Sequence, residues 1–89
     1  MEKQGDLAVY RSQIDEIDKS LIILLKARAT TVTAIGEYKA ANNLPVCDAA
    51  REAQKLEKVR AEADDEKTAA YLADIFEGIM RASCRLEEN

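Results

Sequence analysis

Two cations stand where an apolar stripe should carry hydrocarbon. Arg28 and Lys39 fall on a seam that runs Ile14, Leu21, Leu25, Val32 and Ile35, and steps of three, four and seven residues describe one face of a long helix. A cation turned toward a core is costly unless a counter-charge or a ligand meets it. Three helical turns separate the two at about twenty degrees of azimuth, so both look into the same groove. The pattern points to a buried site for an anion.

Other polar residues fall on inner faces too. Glu52 precedes Leu56 by one helical turn and shares its inward azimuth, while Arg51 follows Asp48 in the same opening turn, near backbone N–H groups that favour anions. The row Leu72, Phe76, Ile79, Ser83, Glu87 keeps one helix face and turns polar only at its end. Arg11 lies about a hundred degrees round from Arg28. It reads as surface in a single chain, but in an entwined dimer it would reach a partner's pocket. The plain alternative is a snorkelling Arg28 and internal ion pairs such as Lys39 with Glu52.

The chemistry open to such a set is narrow. The chain has no histidine, no Gly-rich phosphate loop, and no serine or cysteine with an evident base beside it. No metal and no cofactor are expected. Cys47 and Cys84 lack metal-ligand spacing and read as two reduced thiols of a cytoplasmic protein. What remains is a preorganised cationic cage, able to hold a dianion in one conformer and to stabilise charge that develops as bonds shift. A unimolecular rearrangement of a dicarboxylate needs no more than that, although a passive anion-binding module would need the same residues.

The elements that position these groups follow from composition. Of 89 residues, 47% are hydrophobic and 34% charged, with three Gly, one Pro and 4% aromatics. That balance favours one small all-α domain over 1–89. A net charge of -4 argues against nucleic acid or an anionic membrane as the main partner. The opening residues lack an apolar leader segment, and the run Leu21 to Leu25 is too short to span a bilayer, so a cytoplasmic location is expected.

Period and punctuation predict a first helix over about 7–41 with Asp6 as N-cap, a break at Asn42-Asn43-Leu44-Pro45, a second helix over about 48–63, and a third over about 66–86. Leu56 and Val59 should face inward on the second, and Leu72, Ile75, Phe76 and Ile79 on the third. A first helix of that length is about 50 Å long, against a radius of gyration of about 12 Å for a globule of this size. Its overhanging apolar face predicts a homodimer with entwined first helices, the alternative being a kink at Gly36 that folds the rod back into a monomeric bundle.

With those residues in view, the chain resembles the all-helical chorismate mutases. Arg11-Ser12-Gln13-Ile14-Asp15-Glu16-Ile17-Asp18, then Leu21 to Leu25 and Arg28, is similar to the family's opening pattern. Ile35-Gly36-Glu37-Tyr38-Lys39, Pro45-Val46-Cys47-Asp48, Arg51-Glu52 and Ser83 follow in family order. The resemblance implies an intertwined helical dimer that converts chorismate to prephenate without cofactor or metal, on the route to phenylalanine and tyrosine. It also assigns roles. Arg28 would bind one carboxylate, Arg11 of the other chain the second anionic group, and Lys39 the ether oxygen, where negative charge grows as the C–O bond breaks. Glu52 and the backbone near Asp48 would hold the ring hydroxyl, Ser83 would assist, and Arg51 would brace the site.

One position departs from the pattern. Where the family commonly has glutamine as second donor to the ether oxygen, this chain has Glu87. A carboxyl group donates only when protonated, so a catalytic Glu87 predicts activity that improves toward acid pH. Two rival functions share the resemblance: an isochorismate pyruvate-lyase on a related scaffold, and a non-catalytic helical dimerisation or regulatory module.

Overall fold

The structure is a computed structural model that describes residues 3–88, with side chains from Asp6 onward; Met1 and Glu2, where the absence of a leader was read, lie outside the described residues. Among the described residues three helices make up the fold: α1, Lys3–Ala41; α2, Ala49–Ala61; and α3, Glu66–Glu87. Among the described residues there is no strand, and no helix is long and apolar enough to cross a membrane. The expected order of helices is present. Asp6, expected as an N-cap, instead lies inside the first turns of α1.

Local chemistry sets the boundaries. α1 holds no proline and continues through Gly36, so the expected alternative of a break there does not occur. It ends in a Schellman motif: Asn43 adopts a left-handed φ of 57°, Leu44 N–H donates to Lys39 O at 2.9 Å and Asn43 N–H to Ala40 O at 3.5 Å. This closure satisfies carbonyls that the helix end would otherwise orphan, and Pro45 prevents resumption. Asp48 caps α2 by accepting from Arg51 N–H at 3.1 Å. Asp65 caps α3 by accepting from Thr68 N–H at 2.7 Å, and that bond holds its carboxyl below the ordinary value of 3.8.

The chain divides after Thr31 into two compact units. The first is the N-terminal part of α1, and its large apolar side chains, Ile14, Ile17, Leu21, Ile23 and Leu24 among them, are all exposed in the single chain. The second contains the end of α1 with α2 packed against α3. Its buried apolar residues are Val32, Val59, Ala73 and Met80. Leu56, Leu72, Phe76 and Ile79 are half-buried as the periodicity led one to expect, whereas Ile75 is 40% exposed. The most buried positions of α3 are instead small Ala73 and flexible Met80.

Candidate active site

Within the second unit, Lys39 is the organising residue. Its Nζ donates to Val46 O at 2.6 Å and to Glu87 Oε1 at 2.9 Å. The Lys39 and Glu87 side chains keep only 23% and 12% of their exposure, so the pair is largely withdrawn from water. An ammonium has three donors, and two are spent on these acceptors. The third is directed by the other two rather than by its own flexible stem, which is how a lysine is fixed to one geometry. The sequence suggested Glu52 as the internal partner of Lys39; the ion pair is with Glu87.

Backbone contact makes this pairing possible. A Cβ on Gly36 would lie 2.7 Å from Glu87 O and 2.9 Å from Glu87 Cα, closer than carbon can approach. Only a glycine one turn before Lys39 lets the end of α3 come in this near. On α3, Ser83 is half-buried and its Oγ donates to Ile79 O at 2.8 Å.

Glu52 is half-buried, as its azimuth predicted. It lines a cavity of about 330 Å³ with Cys47, Glu77, Met80, Arg81 and Cys84. Asp48 and Arg51 are exposed at the start of α2, with the Asp48 carboxylate engaged by the Arg51 backbone N–H. A larger hollow of about 830 Å³ at the α2–α3 turn is bordered by Glu57, Asp64, Asp65, Glu66, Asp74 and Glu77, with Arg60 as its one cation. Its charge has the wrong sign for an anion. In the first unit, Arg11 is exposed and Arg28 half-buried on α1.

Two features escaped the sequence. Val46 contributes its carbonyl, which no side-chain pattern reveals. Cys47 and Cys84, expected as separate thiols, are joined in a disulfide with Cα atoms 5.8 Å apart. They are 37 positions apart in sequence and meet only because the connection before α2 lies along α3. Among the described residues, Cys47, Glu52 and Cys84 also form a cluster of metal-ligand atoms, but sulfurs bonded to each other leave the carboxylate as the one anionic ligand.

Fold and site together define an all-α protein that presents a withdrawn lysine, doubly anchored by a backbone carbonyl and a carboxylate. The chain belongs to the type II chorismate mutase family, whose sequence model matches residues 10–88. It is 42% identical over 59 residues to the bifunctional chorismate mutase/prephenate dehydratase of Buchnera aphidicola subsp. Schizaphis graminum, covering 66% of this chain and 15% of that protein. To the T-protein of Enterobacter agglomerans it is 35% identical over 81 residues, 91% of this chain and 21% of that one. A 4-amino-4-deoxychorismate mutase of Streptomyces pristinaespiralis is 30% identical over 83 residues, 92% of this chain and 64% of that one. The chain thus spans about a fifth or less of the first two relatives.

Proposed function

We propose that the protein is a chorismate mutase that acts as a homodimeric single-domain enzyme in the cytoplasm. The rearrangement of chorismate to prephenate is intramolecular, so the protein's task is to select the bent conformer and to stabilise charge on the breaking ether. The observation that carries the reading is Lys39, held by Val46 O and Glu87 with one donor left to give. In this reading that donor meets the ether oxygen. Arg28 binds one carboxylate, Arg11 of the second chain binds the other anionic group, and Arg51 braces them. Glu52 and the backbone near Asp48 hold the ring substituent, with Ser83 beside them. Membership in a chorismate mutase family supports the reading of the reaction.

Glu52 would accept a hydrogen bond from a ring hydroxyl or a ring amine alike. The Streptomyces relative therefore makes the 4-amino analogue of chorismate the second substrate to offer. The decisive experiment follows loss of chorismate and identifies the product, with Lys39→Ala as control. Expected are prephenate from the native protein and a fall in kcat of about a hundredfold or more for the variant, with helicity retained. Release of pyruvate would mark a lyase instead, and an active Lys39→Ala enzyme would remove Lys39 from the chemistry.

A further inference from the structure

The disulfide touches the residue assigned to the ligand's ring substituent. Cys84 Sγ lies 3.3 Å from Glu52 Oε2, a distance at which a thiol donates a hydrogen bond to the carboxylate. Once that sulfur is in a disulfide it has no proton to donate. Glu52 therefore gains or loses an internal donor with the redox state of Cys84. The same bond ties Cys47, and with it the neighbouring Val46 carbonyl that anchors Lys39, to α3. Cys47 is exposed and Cys84 half-buried, so one sulfur of the pair is open to a reagent from solution.

We propose that Cys47 and Cys84 are a redox-responsive dithiol that tunes ligand binding at this site by exchange with low-molecular-weight disulfides. The Cys47 thiolate attacks one sulfur of the reagent, forming a mixed disulfide and expelling one thiolate. The Cys84 thiolate then attacks the Cys47 sulfur, forms the internal bond and expels the second. Two protein thiols are oxidised, one reagent disulfide is reduced to two thiols, and the two protein protons go to the departing thiolates. In the dithiol form, the Cys84 S–H occupies Glu52 and the connection before α2 is held by one tether fewer. In the disulfide form, Glu52 is released to the ligand and Val46 is fixed beside Lys39. Both changes favour binding of the oxidised protein. The effect on turnover rests on the proposed mutase activity; the effect on the fold does not.

Full-length protein is equilibrated with oxidised or reduced glutathione, its state read by alkylation and mass spectrometry, and each form is assayed with chorismate. The oxidised form is expected to have a KM lower by about fivefold, the worth of one neutral hydrogen bond, at similar kcat. Cys47→Ala and Cys84→Ala should lose the response, with Cys84→Ala, which lacks the competing thiol, keeping the lower KM of the two. Equal KM in verified oxidised and reduced protein overturns the proposal, as does glutathione adding to both sulfurs without an internal bond. Should neither form turn over chorismate or its 4-amino analogue, the mutase reading alone falls. The pair is then judged by thermal unfolding and by proteolysis of residues 42–48. Both are expected to be more resistant in the oxidised form, and equal behaviour overturns it.

Discussion

Glu87 is the residue on which this chain's departure from its family turns. It accepts from Lys39 Nζ at 2.9 Å as a carboxylate, and in that form it positions the lysine but cannot donate to a ligand oxygen. A protonated carboxyl or an amide could do so. Glu87→Gln supplies such a donor while its amide oxygen can still accept from Lys39. It should raise kcat by about tenfold, the equivalent of one hydrogen bond of about 1.4 kcal/mol made in the transition state. No gain in the glutamine variant would leave Glu87 only the task of anchoring Lys39.

At the scale of the elements, α1 and α3 meet through the absence of a side chain. Alanine at position 36 is the better helix former by about 1 kcal/mol, yet its methyl would sit against the Glu87 backbone, where overpacking costs about 1–3 kcal/mol. Gly36→Ala is therefore expected to lower the melting temperature and, by moving Glu87 off Lys39, to cost activity as well; a variant more stable than the native chain would refute the close approach. The start of α3 provides the pH-linked element. Asp65 has its carboxyl lowered by the hydrogen bond from Thr68, so its share of stability is complete above the ordinary aspartate value of 3.8 and is lost as pH falls through the depressed one. Asp65→Asn, which caps without charge, should be less stable than the native protein near neutrality and should lose that difference in acid. A gap that persisted unchanged below about pH 2 would show that the charge contributes nothing.

Helix count, the Asn42–Pro45 break and the starts of α2 and α3 were legible because each is written within one turn of sequence, whereas the cap read at Asp6 lies inside α1. The half-buried row from Leu72 to Glu87 was legible from period alone. Pairings that span the chain were not. Lys39 with Glu87 and Cys47 with Cys84 depend on how α3 returns along the others, and a local pattern offered Glu52 to the lysine with equal logic. Ala73 and Met80 were missed at the core for a related reason: hydrophobic size marks a face, but contact distance decides which residue occupies its centre.

For the whole molecule the unanswered surface is the first unit of α1. A single chain leaves Ile14, Ile17, Leu21, Ile23 and Leu24 exposed, while among the described residues the buried hydrophobic ones are Val32, Val59, Ala73 and Met80. Each large apolar side chain withdrawn from water contributes about 1.5–3 kcal/mol, so a second copy laid along this helix would supply more stabilisation than the core of one chain does. The proposed dimer makes a prediction about where the arginines belong. If each site takes Arg28 from one chain and Arg11 from the other, Arg11→Ala and Arg28→Ala homodimers are both inactive, each lacking one anion contact at both sites. Unfolded together in equal amounts and refolded, half of the dimers would be mixed, and each mixed dimer would carry one doubly impaired site and one intact site. About a quarter of native activity should therefore return. Recovery is the result peculiar to sites shared between chains, because two arginines drawn from the same chain would leave every site of every mixed dimer with one of them missing.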